Sequence, residues 1–145
     1  MRKLLFLCSG NYYRSRFAEE YFNHLAHKNG LNWKAHSLGL SQNMPSPTNP
    51  GSISVHTLEA LKARNIEGQN VDRFPAQVED HHFSQHDMIV ALSEAEHKPM
   101  LKERFHQHLP KISFLEVGDL PLESPDQAIS KIAGHVEEMI DDLDS

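Results

Sequence analysis

Lys3-Leu4-Leu5-Phe6-Leu7-Cys8-Ser9-Gly10-Asn11-Tyr12-Tyr13-Arg14-Ser15 is the stretch that decides how this chain folds. After Lys3, Leu4-Leu5-Phe6-Leu7 is a continuous apolar run, the pattern of a strand buried on both faces of a sheet. Past the glycine-containing turn, Phe17, Ala18, Tyr21, Phe22, Leu25 and Ala26 recur with the period of an amphipathic helix, and Asn29-Gly30 supplies its stop. The predicted opening is therefore strand, tight loop, helix. Cys8 and Arg14 sit at the two ends of that loop. The five residues between them can curl their backbone N–H groups around one tetrahedral oxyanion, with Gly10 expected to adopt the unusual dihedrals and the helix dipole adding positive potential. Arg14 can fork two donors onto phosphate oxygens. The same field favours the Cys8 thiolate, to which Ser15 can donate its hydroxyl. A thiolate beneath a bound phosphorus is a nucleophile in line for displacement.

Outward from the loop, strand and helix patterns alternate. Trp33 to Leu40 reads as a second strand, and Ser41 to Ser52 as an exposed loop, since Pro45, Pro47, Pro50 and Gly51 preclude regular structure there. A helix is expected from about Ser54 to Arg64, carrying Val55, Leu58, Leu61 and Ala63. Met88 to Leu92 is a third buried strand, Glu94 to Phe105 a helix and Ile112 to Leu115 a short fourth strand. Pro125 to Leu143 puts Ala128, Ile129, Ile132, Ala133, Val136, Met139, Ile140 and Leu143 on one helical face. Such alternation implies right-handed crossovers: an α/β fold of three layers, α/β/α, on a four-stranded parallel sheet, with the phosphate loop between strand 1 and helix 1. Ligands of such sheets sit at the carboxyl ends of the strands, which is where the first strand delivers Cys8.

Composition narrows the function. The chain has 145 residues and a formal charge of -6, with 39% hydrophobic residues and one cysteine. That is material for a single domain spanning 1–145. No apolar run is long enough to span a membrane, so a soluble, cytoplasmic protein without a membrane partner is expected. One cysteine excludes an intramolecular disulfide framework and a zinc site built on several thiolates. From Phe114 onward nine acidic residues face Lys131 alone, which leaves the preceding part at +2. That part can receive an anion, but no broad nucleic-acid footprint is visible.

The loop resembles the phosphate loop of the low-molecular-weight protein tyrosine phosphatases, of form C-x-G-N-x-C-R-S. The likeness continues more weakly through Phe17-Ala18-Glu19-Glu20, His36-Ser37-Leu38-Gly39 and Asp87-Met88-Ile89-Val90-Ala91-Leu92. It implies that Cys8 is the nucleophile, Arg14 the phosphate clamp and Ser15 the thiolate stabiliser. Asn11 and Ser37, with Ser15, would support the loop. Ser9, Gly10, Asn11, Tyr12, Tyr13, Arg14 and Ser15 would surround the substrate phosphate. It further implies a phosphomonoester hydrolase that forms a cysteinyl phosphate, needs no cofactor or metal, and acts on a phosphotyrosyl protein or a small aryl phosphate. Inorganic phosphate, sulfate and vanadate would inhibit it.

Three positions depart from the family pattern. Tyr13 stands at the second loop cysteine, so the sheltering disulfide cannot form. Ser93 stands where the family has aspartate after strand three. The Asp-Pro-Tyr segment that carries the family's general acid is missing, leaving Asp119 and Asp126 as candidates. Asp119, just past the fourth strand, is the preferred acid; Asp126 suits a capping or first-turn carboxylate of the last helix.

The eleven histidines, including His82 and His86 at helical spacing, come with no matching carboxylate or cysteine pattern and are assigned to the surface. Tyr12 is expected at the mouth of the cleft, Tyr13 either there or in the helix–sheet interface, and Trp33 in the core. Asp87, which begins a buried strand, is read as structural. The competing readings are an arsenate reductase using an external thiol and a non-catalytic phosphate-binding or interaction protein.

Overall fold

The apolar run near the start of the sequence becomes an inner strand of a four-stranded parallel sheet. In the computed structural model, which describes residues 1–42, 49–119 and 122–144, the elements follow in chain order. They are β1 (Arg2–Cys8), α1 (Arg14–Lys28), β2 (Trp33–Gly39), α2 (Val55–Ala63), α3 (Asp80–Ser84), β3 (Met88–Ala91), α4 (Glu94–Phe105), a 3-10 segment His106–Lys111, β4 (Ile112–Phe114) and α5 (Pro125–Asp144). The sheet order is β2-β1-β3-β4 with every pair parallel. Leu4 lies opposite Ala35 on one side and Met88 on the other. Because the chain moves outward from β1 to β2 and then returns to β3 on the other side, the carboxyl end of β1 is the point where the winding reverses.

Residues 4–7 are completely buried, and their alternation feeds two separate cores. Leu4, Phe6 and Cys8 pack with Phe17, Phe22, Ile129, Ile132 and Val136, under α1 and α5. Leu5 and Leu7 pack with Phe83, Ile89, Leu101 and Phe105, under α3 and α4. No helix among the described residues is long and apolar enough to cross a membrane.

The structure corrects several expectations. Helix α2 is rotated from the predicted face: Leu61 is buried as expected, but beside Thr57 and Ala60, whereas Val55 and Leu58 are 57% and 42% exposed. The hydroxyl of Thr57 is what directs that face inward, because it donates to the Tyr13 carbonyl at 3.0 Å. Trp33 is only partly buried and carries Arg2 over its ring, since it opens an edge strand. Helix α3 and the 3-10 segment were not foreseen; α3 holds one buried apolar residue, Phe83, too few for a period to show. Part of the proline-rich 41–52 loop, residues 43–48, lies outside the described residues.

Candidate active site

The loop after β1 is shaped by Asn11. Its backbone is left-handed (φ 49°), a conformation that asparagine tolerates better than most residues. Gly10 has no such φ, so the expectation that it carries the unusual dihedrals is corrected. What the missing side chain provides is room for Asn49, since a Cβ on Gly10 would come within 2.9 Å of Asn49 Nδ2 and displace that side-chain amide. The fully buried Asn11 amide is used completely. Its Nδ2 donates to Ser15 Oγ and Ser37 Oγ, each at 2.9 Å, while its Oδ1 accepts from Arg73 at 3.0 Å and from the Ala76 N–H at 3.1 Å. Arg73 also reaches Ser37 and Glu19. The segment that brings it there is anchored by Glu20, which accepts the N–H groups of Gln69 and Asn70, and by Arg16, which donates to the carbonyls of Ser52 and Asn70.

Cys8 is buried at the carboxyl end of β1, its Sγ 3.0 Å from Ser15 Oγ. Because Asn11 already donates to that oxygen, the Ser15 hydroxyl hydrogen is left to point at sulfur when Cys8 is a thiolate. Arg14, 2% exposed, opens α1 and is held from behind. Its Nη1 donates to Glu96 at 2.7 Å and to the Val117 carbonyl at 2.8 Å, and its Nη2 lies 3.5 Å from Asp119 Oδ2. Burial works against its charge, but the sulfur of Cys8 and the carboxylates of Glu96 and Asp119 outweigh this and raise its pKa. Arg14 therefore stays a guanidinium.

Cys8, Gly10, Tyr12, Tyr13, Arg14, Asn49 and Asp119 line one small cavity of ≈ 60 Å³. Asp126 does not belong to it. Asp126 stands in the first turn of α5 and lines a neighbouring cavity with His56 and Arg64. Nor does it cap α5: Ser124 Oγ accepts the Gln127 N–H while Gln127 Oε1 accepts the Ser124 N–H, a reciprocal capping box. Tyr12 is fixed at the mouth by donating its hydroxyl to the Pro50 carbonyl at 2.5 Å. Tyr13 is buried and edge-on to the His56 ring, 5.9 Å between centroids.

Two residues of α4 complete the loop's far side. Glu96 accepts from Ser9 Oγ at 2.8 Å as well as from Arg14. Burial disfavours its ionised form, yet the Arg14 hydrogen bond and charge prevail and lower its pKa. His97 is fully buried, contrary to the surface assignment of the histidines, as is most of His86. Its Nδ1 accepts the Ser93 N–H at 3.0 Å, so its Nε2 carries the proton and faces Ser9 Oγ at 3.2 Å. Neither residue was singled out from sequence. The available signal was Ser93-Glu94-Ala95-Glu96, which reads as an ordinary capping box. Here His97 takes the place of the box's glutamate on the Ser93 N–H, and Glu96 is released towards Arg14.

Asp87 accepts the Lys3 N–H at 2.7 Å and ties β3 to β1, a structural part. Glu79, His81 and His82 bring potential ligand atoms within 4.8 Å of one another. His82 Nδ1, however, is committed to the Glu79 N–H as the cap of α3.

A parallel sheet with a cysteine and an arginine closing an oxyanion-sized loop at its switch point defines a phosphate-handling α/β enzyme. The family model of the low molecular weight phosphotyrosine protein phosphatases matches residues 3–126, and the chain belongs to that family. It is a cysteine-dependent phosphatase, and phosphorylated molecules are its substrates. A protein-arginine-phosphatase of Bacillus subtilis (strain 168) is 27% identical over 113 residues, 78% of this chain and 69% of that protein. The fold is shared with a YwlE mutant from Bacillus subtilis (TM-score 0.80, 22% identity, all of both chains). It is shared equally with a low molecular weight protein tyrosine phosphatase from T. tengcongensis (TM-score 0.80, 24% identity, 98% of this chain and 99% of that one).

Proposed function

We propose that residues 1–145 work as one catalytic domain that hydrolyses aryl phosphate monoesters, a phosphotyrosyl protein or a small aryl phosphate, through a cysteinyl phosphate on Cys8. The single observation that carries this reading is the shared cavity of Cys8, Arg14 and Asp119, with the tethered ring of Tyr12 at its mouth. The Cys8 thiolate attacks phosphorus and the S–P bond forms as the P–O bond to the leaving group breaks. The backbone N–H groups of residues 9–15 and the Arg14 guanidinium take the charge on the equatorial oxygens. Asp119 protonates the departing phenolate; the resulting carboxylate then takes a proton from a water whose oxygen bonds to phosphorus as the S–P bond breaks, which frees phosphate and returns the Cys8 thiolate. Inorganic phosphate, sulfate and vanadate bind the same loop and inhibit. A cytoplasmic location belongs to this reading, because the nucleophilic thiol stays reduced there.

The arginine phosphatase among the relatives favours a second reading, in which the group released is a guanidine and not a phenol. Measuring kcat/KM on a phosphotyrosyl and a phosphoarginyl peptide of the same sequence decides between them. Preference for phosphotyrosine with complete loss in Cys8→Ser supports the first reading; preference for phosphoarginine overturns it.

A further inference from the structure

Tyr13 carries a hydroxyl that the fold does not use. The residue is 7% exposed, and its hydroxyl oxygen is buried with no hydrogen-bond partner among the described residues. Every other contact of Tyr13 is indifferent to that group. Its carbonyl accepts from the Phe17 N–H and the Thr57 hydroxyl, and its ring meets His56 edge-on. It also occupies the N-cap of α1 without capping, as expected of a side chain that cannot fold back on the first turn. Phenylalanine would meet all of these demands and would spare the cost of a buried, unpaired hydroxyl.

The surroundings indicate what the hydroxyl is for. Tyr13 lines the same cavity as Cys8, Arg14 and Asp119. The titratable groups that act on it are Asp119, Arg14, Glu123 and Asp126, and Asp119 exerts the largest charge effect. Glu123 is already engaged by Lys131 and by the Gly118 N–H, and Asp126 lines the neighbouring cavity. Burial and the Asp119 charge push the phenol up to about 12, so it remains a donor throughout the working pH range.

We propose that Tyr13 is a positioning residue for the leaving-group acid, its hydroxyl donating a hydrogen bond to the Asp119 carboxylate once that carboxyl has passed its proton to the departing oxygen. Tyr13 keeps its own proton throughout. The proton on the leaving group comes from Asp119, and the hydroxyl stabilises only the carboxylate left behind. The proposal rests on the assignment of Asp119 as the acid.

The experiment is a double-mutant cycle on Tyr13→Phe and Asp119→Asn, reading kcat/KM for phenyl phosphate and p-nitrophenyl phosphate together with the thermal midpoint. Tyr13→Phe should lower kcat/KM for phenyl phosphate about tenfold, leave p-nitrophenyl phosphate within about twofold and melt no lower than the wild type. In the Asp119→Asn background it should cause no further loss, because the acceptor's charge has gone. An equal loss on both substrates, no loss, or the same loss in the Asp119→Asn background overturns the role of Tyr13 while leaving the acid in place. If Asp119→Asn itself shows no dependence on the leaving group, the acid assignment fails and the Tyr13 proposal fails with it.

Discussion

Glu96 Oε2 lies 2.7 Å from Arg14 Nη1, so the guanidinium is held by a carboxylate in the first turn of α4. The family's aspartate after strand three is Ser93 here, and Ser93 has become the helix cap, accepting the Glu96 N–H at 3.2 Å. The negative charge beside Arg14 comes from Glu96, three residues further along. A planar guanidinium fixed by Glu96 and the Val117 carbonyl presents its remaining donors in one direction, with little side-chain entropy left to lose when an oxyanion binds.

Glu96→Gln should leave Arg14 charged but less firmly aimed. The expected result is a fall in kcat/KM of roughly 10- to 100-fold with weaker vanadate inhibition, because misplacing a clamp by about 1 Å costs on that scale. A rise in vanadate affinity would show instead that Glu96 competes with the oxyanion for Arg14.

Cys8→Ser should abolish turnover while phosphate or vanadate binding stays measurable by calorimetry, since the N–H cradle and Arg14 are untouched. Arg14→Lys should lose most activity and binding together, because an ammonium cannot keep contact with Glu96, Val117 and the substrate at once. Near-normal kinetics in either variant would exclude the covalent mechanism as drawn.

Asp126→Asn tests the other carboxylate. In the first turn of α5 it interacts favourably with the helix dipole, so its loss should lower stability by about 0.5 kcal/mol in urea unfolding and slow both aryl phosphates alike. A selective loss on phenyl phosphate would transfer the acid role to Asp126.

His97 predicts how stability follows pH. Burial first, and then the charge of Arg14, lower its pKa from 6.5 to about 4 in the folded chain. The unfolded chain therefore takes up this proton first as pH falls. The contribution is complete above about pH 6.5 and is lost as pH drops through the window towards 4. The urea midpoint should fall between pH 7 and pH 5, and His97→Gln, which retains an acceptor for the Ser93 N–H, should flatten that slope. An unchanged slope in the variant would mean that other groups set the acid limb.

The fold was legible because its signals are local and periodic. The run Leu4 to Leu7, cut short by the glycine-containing turn, has the length and pattern of a strand buried on both faces, and the stripe from Ala128 to Ile140 has the period of a helix facing a core. What escaped were residues whose partners lie far along the chain. Arg73 sits in irregular backbone and reaches Asn11 across 62 positions, so no spacing rule points to it. Glu96 was concealed by a local pattern that already accounted for it. The α2 face was misread for a related reason: a polar residue, Thr57, is buried by a hydrogen bond to a loop carbonyl, and hydrophobic periodicity has no term for that. Cys8 and Arg14 stood out by their spacing across the turn between a strand and a helix, and Asp119 by its place just past the fourth strand; the structure brings all three to one cavity.

Asn11 is the position where this chain has the least choice. Aspartate would keep the shape but has no hydrogens for Ser15 and Ser37. Glycine would accept the left-handed backbone but would remove all four of the amide's hydrogen bonds at once and take from the Ala76 N–H its acceptor, and glutamine would carry the amide one bond too far. A backbone constraint and a complete set of two donors and two acceptors thus intersect in one of the twenty amino acids. Mutational tolerance around the loop should accordingly be graded, with Tyr12 open to replacement at the rim and Asn11 admitting none. The same amide ties residues 11, 15, 37, 73 and 76 into one knot, so its backbone N–H groups should exchange with solvent in a single cooperative opening and not loop by loop.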